Sequence, residues 1–238
     1  LSTGDGTNRP ELYAYERVEC DAHKIDGMFC VYVRSPYGDL IPKLIPRLWL
    51  IVIVEAESRA ILGYFLSLGK ECDQDDLLQA FKAALSWWKP RELTIEGLTY
   101  HEGSGFPSSF CENLAGACWD EFSADGAKIN WSARTLSVLK SIVGAVPATH
   151  GLRRRNPNDR PYVERVFGTL EGTIHRLPNT TGTSPADARR NEAEKAAIRH
   201  AFQLEHLIEL VDVLIANYNG TPHSGIMNRT PLDYLRWR

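Results

Sequence analysis

Leu48-Trp49-Leu50-Ile51-Val52-Ile53-Val54 and, after a short polar connection, Ala60-Ile61-Leu62-Gly63-Tyr64-Phe65-Leu66 set the architecture of this chain. The first is an uninterrupted, β-branched run of the kind a strand shows when both of its faces are covered. The second follows closely enough to pair with it antiparallel. Downstream, residues 73–88 change to helical spacing, with Leu77, Leu78, Phe81, Ala84, Leu85 and Trp88 on one face, Asp73 placed to cap the start and Pro90 to end the helix. Upstream, Arg17-Val18-Glu19-Cys20-Asp21-Ala22 alternates apolar and polar residues, which predicts a strand ending near Asp21, with Ile25-Asp26-Gly27 supplying a turn. Residues 28–33 form a further extended segment, and Pro36, Pro42 and Pro46 break up the loop or hairpin after it.

Residues 94–118 read as a glycine-rich loop insertion with a short helix near 108–114. A short strand over 119–124 leads into Asp125-Gly126, then a helix around 133–141 and a strand over 142–146. Proline is favoured at the first helical position, so a helix starts at Arg160-Pro161 and runs to about His175. Residues 177–190 read as an irregular linker, and 193–219 carry the apolar spacing of a long helix through Phe202, Leu207, Leu210, Val211, Leu214 and Tyr218. Antiparallel strands come first and strand–helix alternation later, which predicts a mixed α/β sheet. The organisation reads as an N-terminal arm (1–15), a core (16–176) and a linker with a C-terminal helical extension (177–238).

The chain has 238 residues, 43% hydrophobic and 24% charged, the profile of an ordinary globular protein and not of a disordered one. Its longest apolar stretch, 48–54, is far too short to cross a bilayer, and no charged-then-apolar segment opens it, so an intracellular, cytoplasmic and nucleoid-associated location without membrane partners is expected. The five cysteines form no CxxC pair and are odd in number, which speaks for reduced thiols rather than a disulfide framework. Net charge is −3, yet residues 151–190 hold eight arginines against Asp159, Glu164, Glu171 and Asp187, a local balance of +4 that leaves −7 for the rest.

Three acids stand where a metal site would need them: Asp21 at the end of the first strand, Asp125 after the fourth, and Glu164 one turn into a helix. In that helix Val163, Val166, Phe167 and Leu170 make the buried stripe, and Glu164 lies beside it, with Glu171 two turns further on as its competitor. Arg160 and Arg165 face outward, available to phosphates, and Arg153-Arg154-Arg155 precedes the helix. A bland alternative is a solvated helix whose acids pair with nearby arginines.

Cys20-Asp21-Ala22-His23, Ala124-Asp125-Gly126-Ala127 and Arg160-Pro161-Tyr162-Val163-Glu164-Arg165-Val166-Phe167 resemble, in order and spacing, the three signature segments of the DDE integrase and transposase core, the retroviral-integrase-like and phage Mu types included. Thirty-eight residues separate Asp125 from Glu164. Ser58-Arg59-Ala60-Ile61-Leu62-Gly63-Tyr64 resembles the second hairpin of that family, and Tyr218-Asn219-Gly220-Thr221-Pro222-His223 with Thr230-Pro231-Leu232 its closing segment, so the resemblance covers about residues 16 to 235. It implies an RNase H-like fold with a five-stranded mixed sheet flanked by helices, and two Mg²⁺ or Mn²⁺ ions held by Asp21, Asp125 and Glu164. It also implies cleavage at DNA 3′ ends followed by strand transfer without a covalent enzyme intermediate. Element ends and target DNA are the implied partners, and a homo-oligomer the implied working form. Three carboxylates suit two hard cations roughly 3.5 to 4 Å apart. Gly126 stands where similar proteins often carry Asn, and Glu55 where they often carry Asp before the Ser-Arg pair.

Two other classes remain in view: a retired transposase that keeps the fold as a DNA-binding or assembly module, and a metal-dependent nuclease that cuts without joining. A zinc site from His101, Cys111 and Cys118 fits no common spacing. His23 shares a strand face with Asp21, as either a substrate contact or a half-buried strand histidine. Trp87-Trp88 could stack unpaired bases, but helical spacing with Phe81 and Leu85 assigns at least one of them to the core.

Overall fold

The computed structural model describes residues 12–25, 29–45, 48–110, 112–124, 132–148, 161–174 and 202–238. Its main sheet has strand order β5-β4-β1-β6-β7, built from β1 (Arg17–Ile25), β4 (Leu48–Glu55), β5 (Ile61–Ser67), β6 (Glu121–Ala124) and β7 (Val146–Pro147). β4 runs antiparallel to both β1 and β5, whereas β6 is parallel to β1 and β7 is parallel to β6. This mixed five-stranded order with helices on both faces is the RNase H-like arrangement. A second sheet, β3-β2-β8, is formed by the hairpin β2 (Phe29–Arg34) and β3 (Leu40–Ile45) with β8 (Phe202–Gln203).

β4 explains its own sequence. Leu50, Val52 and Val54 enter the core cluster on one face, with Val163, Val166, Phe167 and Leu170 of α4 (Pro161–Ile174) and Val211 and Ile215 of α5 (Leu204–Asn219). Ile51 and Ile53 enter the other, with Leu77, Ala80, Phe81 and Ala84 of α1 (Gln74–Leu85). A strand sandwiched between two helical layers has no solvent face, so its sequence does not alternate. β1 beside it does alternate: Val18 and Cys20 join the α1 side, and Glu19, Asp21 and His23 fall on the opposite face by the period of two.

α1 begins where its sequence says it should. Asp73 accepts the amides of Asp75 at 2.8 Å and Asp76 at 3.0 Å, while Asp76 accepts the Asp73 amide at 3.0 Å, a reciprocal cap. The helix ends at Leu85, ahead of Pro90. A short α2 (Pro107–Phe110) and a 3-10 turn Glu112–Leu114 stand where a short helix was expected. The closing segment folds as a 3-10 turn Ser224–Ile226 and α6 (Pro231–Trp237), which starts on a Thr230 cap and a proline in its first turn.

Three expectations are corrected. β1 does not stop at Asp21, because pairing with β4 continues through Ile25 opposite Leu48. The expected strand over 142–146 survives only at Val146, the first residue of β7: α3 (Ala133–Val138) passes into a π-helical turn, Leu139–Val143, closed by Gly144 at φ 81°. Leu139 and Val143, four apart, are both buried, as one face of a helical turn places them. The long C-terminal helix starts at Leu204, since Phe202–Gln203 pairs with β2; residues 193–201 and the linker 177–190 lie outside the described residues.

Gly63 sets how closely α1 sits on the sheet edge. A Cβ there would lie 2.3 Å from the Ala84 amide nitrogen and 2.6 Å from its Cα. Backbone cannot swing aside as a side chain can, so Gly63→Ala is expected to destabilise by about 2 to 3 kcal/mol. Chemical denaturation would show it as a lower midpoint at unchanged slope, and an unshifted midpoint would mean that α1 is not held this tightly.

Candidate active site

The side chains that fix the site are built around the β1 face carrying Glu19, Asp21 and His23. Glu19 is 2% exposed, and its Oε2 accepts the amides of Tyr162 at 3.1 Å and Val163 at 3.0 Å. These are first-turn amides of α4, which have no intrahelical acceptor, so a carboxylate from the sheet satisfies them and meets the positive end of the helix. One turn further on, the His23 ring stacks on Phe167 with centroids 4.7 Å apart and planes 27° apart. α4 is thereby pinned to β1 on either side of Asp21.

Asp21 is half-buried between those two anchors, and its Oδ1 accepts the Ala22 amide at 2.9 Å. Glu164 lies on α4 between Val163, bonded to Glu19, and Phe167, stacked on His23, with its own side chain exposed. Arg165 is exposed next to it. β6 runs parallel to β1 with Ala124 opposite Cys20, so the chain leaves β6 beside the strand residue that precedes Asp21. Asp125 is the next residue in the sequence and lies outside the described residues, as do Arg153, Arg154, Arg155 and Arg160. Among the described residues no group of three or more His, Cys, Asp or Glu is gathered in a form that could hold a metal ion. Cys111 too lies outside them, while His101 and Cys118 are exposed.

The other segments that carry the resemblance are structural supports. Glu55, fully buried, accepts the Ser58 hydroxyl and amide, the Glu57 amide and the Tyr15 amide, and so fixes the β4–β5 turn and the entry to β1. Burial pushes its carboxyl above the usual range, and those donors pull it back. Arg59 adopts a left-handed conformation (φ 66°), donates to the Gly225 carbonyl at 2.9 Å and lies over the Tyr162 ring at 5.4 Å, which ties the closing segment to the start of α4. Asn219 is wholly buried. Its amide oxygen accepts the Ile61 amide at 2.8 Å, and its amide nitrogen donates to the carbonyls of Ile61 at 2.9 Å and Gly105 at 3.0 Å, a side chain that stands in for a neighbouring strand at the β5 edge.

Sequence reading missed Glu19, which entered it only as a polar residue of the alternation over 17–22. A signal was present: Pro161 opens α4, and the residue before it, Arg160, has no oxygen with which to cap it, so an acceptor had to come from elsewhere in the fold.

No protein-family model matches the chain, and no curated protein matches it in sequence. Among solved structures it is similar to the HTLV-2 integrase catalytic core domain in complex with magnesium, at 12% identity and a TM-score of 0.45 over 94% of this chain and 99% of that one. It is also similar to a chain of the simian T-cell lymphotropic virus intasome, at 14% identity and a TM-score of 0.43 over 81% of this chain, and spans half the length of that chain. A pre-cleavage Mos1 transpososome matches at 11% identity and a TM-score of 0.36 over 93% of this chain and 51% of that one. Likenesses this distant say nothing about chemistry. On its strand order, its parallel β1–β6 pair and the seating of α4 across β1, the chain has an RNase H-like fold.

Proposed function

We propose that this chain is the catalytic domain of a DNA transposase or integrase, cutting DNA to expose a 3′-hydroxyl and joining that hydroxyl to a target strand by direct transesterification. The observation that carries the reading is the convergence of three acid-bearing segments on one strand. α4 is bonded to β1 on both sides of Asp21, with Glu164 between the bonds, and β6 delivers Ala124, the residue before Asp125, opposite Cys20. In this reading residues 16–176 form the catalytic core. Residues 177–238 form a linker and helical extension whose described part packs on that core through Val211, Ile215 and Asn219.

Carboxylate oxygens are the donors that hard divalent cations prefer, so Asp21, Asp125 and Glu164 suit Mg²⁺ or Mn²⁺ in chemical type. Glu19, on the same strand face, is assigned a different part, because its Oε2 is engaged by the α4 amides. When bound, such ions supply positive charge to the phosphate and make an attacking oxygen easier to deprotonate. The protein's own part is positional. Glu19 and the His23–Phe167 stack hold α4 so that Glu164 stays near β1, and Arg165 with the arginines of 153–160 attracts the phosphates. Among the described residues no helix is long and apolar enough to cross a membrane.

The test is metal withdrawal. The chain is incubated with plasmid DNA and a labelled duplex oligonucleotide in Mg²⁺ or Mn²⁺ and, in parallel, in chelator. Nicked plasmid and labelled joined product are expected with metal, and neither in chelator. Nicking without joining would reassign the chain as a nuclease. DNA binding with neither product in either metal would remove the enzymatic reading and leave a DNA-binding module.

A further inference from the structure

Trp87 and Trp88, adjacent in sequence, have separate roles. Trp88 is half-buried, packs on Tyr100 and Phe106 with ring centroids 5.6 Å and 5.2 Å away, and donates its indole N–H to Asp212 at 3.1 Å. Trp87 is 46% exposed on the rim of a cavity of about 570 Å³. That cavity runs along the edge strand β5 at Gly63–Leu66, between α1 and α5, and its volume is that of a pocket for one small organic molecule.

Its wall is rigidly built. Asp212 is 2% exposed and accepts the Tyr64 hydroxyl at 2.8 Å, the Tyr100 hydroxyl at 2.8 Å and the Trp88 indole, with Arg91 Nε at 3.6 Å. Burial, before the nearby carboxylate, raises the Tyr64 phenol well above its ordinary value and the Tyr100 phenol to about 12, so both remain hydroxyl donors at neutral pH. The one acid in the lining is thus consumed in holding aromatic rings. Lys82 and Lys89, also in the lining, are exposed and have no carboxylate partner among the described residues. An exposed indole beside two uncompensated ammonium groups matches a flat ring that carries negative charge.

We propose that this cavity binds an unpaired nucleotide, its base against Trp87 and its phosphate on Lys82 and Lys89. The choice of a nucleotide among planar anions rests on the function proposed above; the cavity and its cationic, aromatic rim do not. Tyr64 is opposite Val52, and Val52 is opposite Asp21, so the cavity lies two strands, about 10 Å, from the acid-bearing row. A strand displaced from the site has a place to lodge there, and a free nucleotide has the same chemistry.

The experiment is a fluorescence titration in chelator, where no cleavage can occur, with dAMP, deoxyadenosine, deoxyribose 5-phosphate and a short single-stranded oligonucleotide as probes. Quenching by dAMP is expected, with each half-molecule binding at least tenfold more weakly. Lys82→Ala with Lys89→Ala is expected to weaken dAMP about tenfold or more, and Trp87→Ala to remove most of the quenching. All three residues are exposed, so thermal melts should match wild type. Oligonucleotide binding that falls with the same variants identifies a DNA strand as the source; dAMP binding alone identifies a free nucleotide. Unchanged binding in well-folded variants overturns the proposal. So does a variant that changes only the oligomeric mass, which would make the cavity a protein contact. A chain that binds dAMP yet neither cuts nor joins DNA refutes the transposase reading alone, and one that cuts but ignores every probe refutes the cavity alone.

Discussion

Glu164→Gln is expected to lower DNA cleavage by about a thousandfold or more while leaving the unfolding free energy within roughly 0.5 kcal/mol of wild type. The two halves of that expectation come from separate facts. Glu164 is exposed on α4 and makes no hydrogen bond or ion pair among the described residues, so no described contact depends on its charge. The site does, in the proposed reading, because an amide in place of a carboxylate removes the charge and one of the hard oxygens a divalent ion would take. Glutamine keeps the length and helix propensity of the side chain, so no backbone effect is mixed in. Cleavage of a labelled duplex in Mg²⁺, read beside a denaturant titration, separates the two. A variant as active as wild type would remove Glu164 from the site and turn attention to Glu171. Loss of activity together with stability would mean that the side chain has a structural partner after all.

The parts of the fold legible in sequence were those decided by neighbours in the chain. Asp73 and Asp76 cap α1 from three residues apart, and the unbroken apolar run of β4 announces a strand covered on both faces. The opaque parts were decided at long range. Asp212 and Glu209 sit among apolar residues of α5 and would be placed at its surface by pattern alone. They are 2% and 5% exposed because Tyr64, Tyr100 and Trp88 complete the one, and Thr94 and Ile95 the other. A buried acid is stable only when its donors arrive, and those donors lie more than a hundred residues away in sequence. The 142–146 run failed for the opposite reason. Its β-branched residues favour a strand, but Gly144 in a left-handed conformation and the Ala145 amide donating to the Leu139 carbonyl at 2.9 Å close a helical turn instead. The candidate site divides along the same line: Asp21 and Glu164 were readable as acids at element positions, whereas the side chain that sets their spacing was not.

That side chain is Glu19, and Glu19→Ala is expected to cost about 3 kcal/mol of stability and to lower cleavage about a hundredfold even where the protein remains folded. The stability loss has a definite source. Two α4 amides, one of them on a fully buried residue, lose a charged acceptor, and water cannot take its place beneath the helix. The loss of activity follows from geometry: with the Glu19 bond gone, the first turn of α4 keeps only its apolar packing and the His23–Phe167 stack, so Glu164 is positioned less firmly beside β1. Glu19 touches neither the substrate nor an ion in this account; it is a positioning residue, and a merely structural role must be told apart from it. Glu19→Gln does so, because the amide keeps one oxygen for the helix. It is expected to recover most of the stability and to bring the Mg²⁺ concentration for half-maximal cleavage back near wild type, whereas Glu19→Ala should require several times more Mg²⁺. If the alanine variant, assayed well below its melting temperature, keeps wild-type cleavage and an unchanged Mg²⁺ requirement, then α4 is seated by its apolar stripe alone and the carboxylate serves only as a cap.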